Sequence, residues 1–421
     1  MTSVSNIEEE TASVALSEAA DAVLSFGASM MRAGNTASRT REWVEVLARR
    51  LGFDAVSLSL SLDSITATLH RSGAQTTAMR EIGPAGINAI RIAALEQLAK
   101  TAEPGLAPRE IALKLAQIES TKPRYSSVLI AAAVGVASGA FAFLNGAAPA
   151  EMIAAAIGGA FGQRLRSWLS HRQLNQYGVA ALSALAASGI YVLSATLMLD
   201  LGFDSVRYSA ALIASVLFLV PGFPLIAGLF DLLQHQTVAA VSRLAHGVMM
   251  LLAVAFGLSI VIKIVGMDLS HPPPVFELAY PLKLLLRAIA SFLAASAFAM
   301  LFGCPPRTVL AVGLLALVAN GLRLLLTDFA MTPASAAFFA ALLIGLVALP
   351  LDERFNMPRI AIAVAPSVIM VPGVSAFRMI VLFDRGQMLD ALQASATFWF
   401  VIVALAAGLA TTLLFSPRQR A

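Results

Sequence analysis

Leu217-Phe218-Leu219-Val220-Pro221-Gly222-Phe223-Pro224 lies inside an apolar run from Ser209 to Leu233, and the reading of this run decides the fold. A run of this length crosses a bilayer, which takes about 20 apolar residues as helix. Pro221 has no amide to donate and Gly222 loosens the backbone beside it, so the helix is expected to break at mid-membrane. The pattern recurs. The run from Arg359 to Asp384 carries Val371-Pro372-Gly373 at the matching depth. Broken helices at corresponding positions of two halves point to a transport site.

Outward from these two runs the chain stays apolar. Of 421 residues, 58% are hydrophobic and only 13% charged, which no soluble domain of ordinary composition matches. The net charge of +4 reflects basic residues at membrane edges, so a nucleic-acid partner is not expected. The single cysteine, Cys304, excludes an internal disulfide and any cysteine-clustered metal site. There is no Walker motif, no metal-spaced histidine pair and no G-x-S-x-G elbow. Neither an enzyme nor a cofactor or metal is expected.

Charge divides the chain. Residues 1–127 hold 14 of the 25 acidic and 13 of the 29 basic residues, and the remaining 294 hold 11 and 16. This predicts a soluble α/β head over 1–125 and two membrane segments, 126–270 and 278–416. In the head, helical periodicity covers Leu16 to Arg32, Arg39 to Arg50, Ala85 to Lys100 and Pro108 to Glu119. Gly34-Asn35-Thr36 reads as a helix stop followed by a new cap. Asp54 to Ser61 and Ser64 to His70 read as two short strands joined by a turn at Asp63. Met1 to Glu10 is polar and acidic, so no cleavable signal peptide is expected.

The expected fold class is therefore an α-helical polytopic membrane protein of about ten spans with an N-terminal α/β domain. The spans fall near 126–145, 149–168, 178–199, 209–233, 244–266, 280–302, 306–326, 333–350, 359–383 and 393–415. Lys122, Arg124, Arg164, Arg166, Arg172, Arg243, Arg307, Arg354, Arg359, Arg418 and Arg420 flank one side of these spans. Arg207, Lys263, Lys283, Arg287, Arg323, Arg378 and Arg385 flank the other. The excess predicts a cytoplasmic head and C-terminus. Pro272-Pro273-Pro274 is expected outside, dividing the body in half.

The halves repeat. Gly139 to Gly146 parallels Ser296 to Gly303, and the same register sets Pro149 on Pro306, Gln163 on Asn320, Arg166 on Arg323 and Leu169 on Leu326. Five spans is an odd number, so the second half is expected to be inverted, the arrangement of secondary transporters with a midplane site.

With these residues in view, the chain resembles the threonine/serine exporters of bacterial membranes. Met31-Arg32-Ala33-Gly34-Asn35-Thr36-Ala37-Ser38-Arg39 is similar to the family's R-A-G-x-[ST] segment. Leu219-Val220-Pro221-Gly222 followed by Phe230-Asp231-Leu232 is similar to its proline-glycine helix and trailing aspartate. The order of head, five spans and five related spans also matches. The chain departs where relatives often have an acidic residue after the arginine of the head motif. Arg41 stands here, followed by Glu42, and Leu382 occupies the position aligned to Asp231, with Asp384 two residues on. The resemblance implies export of threonine, serine or similar amino acids across the bacterial inner membrane, driven by the proton gradient. A passive solute channel and a membrane sensor with a signalling head remain alternatives.

An amino-acid zwitterion needs donors for its carboxylate and an acceptor for its ammonium. Freed backbone at Pro221-Gly222 and Pro372-Gly373 offers both, with Ser215, Ser367, Ser375 and the aligned Gln163 and Asn320 as candidate binding side chains. Charge inside a span is costly and marks functional candidates. Asp231, ten residues past Pro221, is expected about 15 Å along the helix, near the cytoplasmic mouth, as either the proton-coupling group or a helix-end carboxylate facing water. Arg378 is deeper than a snorkelling residue needs to be, and Arg166 and Arg323 are candidate paired gates or anchors. Lys263, Lys283 and Arg287 read as snorkelling anchors.

Overall fold

The computed structural model describes residues 2–203, 209–266 and 278–415. The triple proline, Arg207, Arg418 and Arg420 lie outside the described residues. Two compact units emerge, Met1–Pro123 with Asp231–Arg243, and Arg124–Phe230 with Leu244–Ala421.

The first unit runs α1 (Thr2–Arg32), α2 (Ala37–Arg50), β1 (Ala55–Leu60), β2 (Ser64–Arg71), β3 (Ala74–Glu81), α3 (Ala89–Thr101) and α4 (Pro108–Glu119). The expected stop between α1 and α2 is present. Gly34 has φ +92°, and a methyl there would lie 3.1 Å from the Gly86 carbonyl, so both conformation and space require glycine. Thr36 then caps α2, its hydroxyl accepting from the Arg39 amide. Along α2, Ala37, Thr40, Trp43, Val44, Leu47 and Ala48 are buried, a single face at helical spacing. The strands form an antiparallel sheet in the order β1-β2-β3. Alternation in β2 buries Ile65, Ala67 and Leu69. Ile65 fills the space over Gly27 of α1, where a methyl would lie 2.5 Å from its Cδ1. Strand β3 is absent from the sequence expectation. Its Ala-Gln-Thr-Thr-Ala-Met-Arg-Glu has no buried residue, so only pairing to β2 defines it.

The second unit is helical: α5 (Ser127–Leu144), α6 (Pro149–Ser170), α7 (Gln176–Asp200), α8 (Ser209–Ala214), α9 (Gly222–Leu233), α10 (Thr237–Val265), α11 (Tyr280–Leu301), α12 (Pro306–Asp328), α13 (Pro333–Phe355), α14 (Arg359–Val368), α15 (Gly373–Asp384) and α16 (Met388–Thr411). The end of α9 and the start of α10 belong to the first unit. Small residues allow close helix approach. A methyl at Gly158 of α6 would sit 2.5 Å from the Ala187 carbonyl of α7. The second half begins its helices as the first does: Pro149 and Pro306 open α6 and α12, and Gly222 and Gly373 open α9 and α15.

The expected ten spans are reduced. Among the described residues, seven helices are long and apolar enough to cross a membrane, and eight spans result when α14 and α15, bent by 54°, count as one. The last third of α6 carries Gln163, Arg164 and Arg166 and is too polar to qualify. The run at Ser209 to Leu233 is split into pieces too short to span singly.

Candidate functional site at the paired helix breaks

Both runs break where proline and glycine predict. The Gly222 amide donates to the Val220 carbonyl at 2.7 Å, and the Gly373 amide donates to the Val371 carbonyl at 2.8 Å. Pro372, at φ −78° and ψ 67°, sits in the inverse γ-turn well that such a bond defines. Helical bonding resumes at Leu225, which donates to Pro221, and at Ala376, which donates to Pro372. The glycine amides expected to be free are thus used within the turns. The amides of Phe223, Val374 and Ser375 begin the two new helices with no carbonyl of their own helix in reach.

The breaks face each other reciprocally. A methyl on Gly222 would lie 3.2 Å from Val368 and 3.3 Å from Val371. A methyl on Gly373 would lie 2.5 Å from Leu217 and 3.2 Å from Val220. These four neighbours are repeat partners: Leu217 with Val368, and Val220 with Val371, at the same 151-residue offset as the glycines. Another repeat pair, Phe141 and Phe298, meets edge to face with centroids 6.0 Å apart.

The candidate side chains divide into groups. Ser215 and Ser367 are fully buried, but each hydroxyl donates to its own helix, to Leu212 at 2.6 Å and Ala363 at 2.7 Å. Ser375 is half-buried in the first turn of α15. Arg378, six residues past Pro372, is half-buried and its Nε is enclosed without a hydrogen-bond partner. Gln163 and Asn320 are buried, each three residues before the half-buried Arg166 and Arg323. Asn320 accepts from Arg323 Nε at 2.7 Å, whereas Gln163 donates to Ser167 at 3.4 Å and leaves its carbonyl without a partner. Cys304, between α11 and α12, is buried, and burial pushes its thiol up to about 12. It stays protonated at physiological pH.

Asp231 belongs to a different cluster, inside the first unit. It is 0% exposed, not open to water at a mouth. Its Oδ1 accepts from the Ala37 amide at 3.0 Å, at the start of α2. Its Oδ2 pairs with Arg243 Nε at 3.4 Å, and Arg243 donates through Nη2 to the Asn35 carbonyl. The head motif therefore receives Asp231 at a helix N-terminus, where amides and dipole favour a carboxylate. Arg41, the departure in that motif, donates to Gln236 at 3.3 Å and to the Leu58 carbonyl at 2.8 Å.

Two family profiles match the chain. The one described as "Putative threonine/serine exporter" covers residues 21–265, and "Threonine/Serine exporter, ThrE" covers 287–415. The chain belongs to the threonine/serine exporter family. The "Threonine/serine exporter" of Corynebacterium glutamicum is 22% identical over 84% of this chain and 73% of its own. The "Probable succinate transporter subunit YjjP" of Escherichia coli strain K12 is 28% identical over 57% of this chain and 92% of its own. No solved structure matches. As a member of the exporter family, the chain is a multi-pass membrane transporter.

For this exporter, sequence reasoning missed Arg243 and the Asn35 carbonyl as partners of Asp231. Arg243 stood among the flanking cations that set orientation. The usable signal was its place in the same polar connection as Asp231, between two apolar runs. A carboxylate and an arginine there satisfy each other at low cost only if they meet.

Proposed function

We propose that this protein is a secondary active exporter of small polar amino acids of the threonine/serine class in the bacterial inner membrane, with the paired Val-Pro-Gly breaks as its solute site. The reciprocal packing of the two breaks carries the reading. When residue i of one copy meets j of the other, and j of the first meets i of the second, the copies are related by a two-fold axis. The Phe141–Phe298 pair fits the same axis, because partners that touch each other must lie beside it. This supports inverted repeats and alternation of access about the breaks. Phe223, Val374 and Ser375 amides supply carboxylate donors, and Pro221, Gly222, Pro372 and Gly373 form the turns that present them.

The proton gradient is the proposed drive. Asp231 is the candidate carrier, and its pairing with Arg243 must open for it to exchange a proton with solvent. A cytoplasmic head follows from the cation bias. The relative named as a succinate transporter subunit favours a second reading, export of a small dicarboxylate. That relative is also matched along 92% of its own length by only 57% of this chain, which supports a chain made of parts that can exist as separate subunits.

The test is efflux from cells preloaded with threonine- or serine-containing dipeptides, and separately with succinate. Release against a gradient, abolished by an uncoupler, supports the exporter. Downhill release alone, insensitive to the uncoupler, means a channel.

A further inference from the structure

We propose that Arg323, aimed by Asn320, docks the carboxylate of the transported solute, and that Arg166 with Gln163 is the counterpart in the first half. This rests on the exporter reading and deepens it by naming the group through which solute is recognised. Asn320 is 0% exposed; its Oδ1 receives Arg323 Nε at 2.7 Å and its Nδ2 donates to Ser291 at 2.8 Å. Ser291 in turn donates to the Arg287 carbonyl at 2.7 Å. This chain of bonds fixes the guanidinium plane and leaves its terminal nitrogens without a partner among the described residues. The carboxylate on the neighbouring helix turn, Asp328, is already bound by Arg287 at 2.6 Å.

Arginine keeps its proton inside proteins, so an uncompensated guanidinium in an apolar body is costly. The same imbalance recurs at the equivalent place. Arg166 has no ion pair or hydrogen bond among the described residues, and the buried carbonyl of Gln163, three residues before it, is also unpartnered. Each half thus holds an arginine three residues after a buried amide on the equivalent helix, and among the described residues neither arginine is given an acid. What completes both is an anion from outside the chain, and a planar carboxylate matches the arginine fork in two bonds. The first pair adjoins the first break: a methyl on Gly162, next to Gln163, would lie 3.0 Å from Phe218.

The experiment follows thermal unfolding of the purified full-length protein, titrated with L-threonine, L-serine and succinate, and with threoninol and butane-1,4-diol as counterparts lacking the carboxylate. It is run in detergent and in vesicles of phosphatidylcholine with and without phosphatidylglycerol. The carboxylates are expected to raise the Tm of the unaltered protein and the carbinols to leave it unchanged. Arg323→Gln and Arg166→Gln are each expected to raise the half-saturating concentration about tenfold, the loss of a charge-assisted bond. Arg323→Lys keeps the charge but not the fork and is expected to fall between. Lys263→Gln, at an exposed lysine, should change nothing. The unliganded Tm of Arg323→Gln should hold or rise, because an unpaired charge is removed; a purely structural arginine would lower it.

Unaltered half-saturation in both glutamine variants overturns the proposal, as does a protein whose Tm no carboxylate moves. A response confined to phosphatidylglycerol vesicles overturns it too, by assigning the arginines to lipid phosphate. Arginine-dependent carboxylate binding without any transport sinks the exporter reading and leaves this proposal standing. Transport with arginine-independent binding sinks this proposal alone.

Discussion

Asp231 is asked to do two things that a single carboxylate does at different moments. As the partner of Arg243 and of the Ala37 amide it must be charged, and as a proton carrier it must be neutral. Asp231→Asn keeps an oxygen for the Ala37 amide but leaves Arg243 buried and unpaired. Breaking a buried pair from one side costs about 3–5 kcal/mol, so this variant should lower thermal stability by several degrees. Asp231→Asn with Arg243→Met should recover much of that loss, and a differential scan of the three proteins checks it. At matched abundance, the double variant should export with weakened pH dependence. A pH profile identical to the parent's makes Asp231 an anchor only. The cost of a carboxylate at the end of an apolar run made Asp231 legible in the sequence. Its Ala37 partner was not, because Ala37 lies 194 residues away and periodicity carries no information across that distance.

Among the elements, the broken helices were legible and β3 was not, for one reason. Pro221-Gly222 and Pro372-Gly373 act locally: a missing amide ends a helix whatever surrounds it. Strand β3 has no buried residue and forms by hairpin pairing to β2 across Ser72-Gly73, so its own composition carries no such signal. Ser215 and Ser367 had two roles open to them, solute contact or helix packing, and their hydroxyls turn into their own helices. Pro221→Ala and Pro372→Ala restore an amide at each break and favour continuous helix. Each should cut uphill efflux severalfold at unchanged membrane abundance. The double variant should lose less than the product of the two, because groups lining one site couple. Efflux assays at matched abundance decide it; effects that are small and simply multiply mean the prolines only shape packing.

At the scale of the whole molecule, the proposed axis relating the halves has consequences beyond the breaks. Inversion requires the connection between α10 and α11 to emerge opposite the connections that follow α6 and precede α5. Reporter fusions near residues 122 and 172 should be cytoplasmic, and those near 204 and 273 should not. A cytoplasmic reporter at 273 would give both halves one orientation and remove the two-fold reading. The same axis bears on assembly. Phe141 meets Phe298, and the glycine of each break meets the valines of the other, so each half completes its packing only against its partner. No interaction described here requires the covalent link between residues 266 and 278. Cutting the chain there should therefore yield two polypeptides that are inactive alone and restore efflux when made together. Their association should depend on the faces that meet at the axis. Phe298→Ala removes an aromatic contact with about 0.5–1.5 kcal/mol beyond its buried area, and Gly373→Leu forces a side chain into Leu217. Both should weaken co-purification of the separated halves far more than they weaken the intact chain, where the linker holds the halves at high effective concentration. Independent activity of the 1–266 piece would end the argument, since it would place a complete transport path within one half.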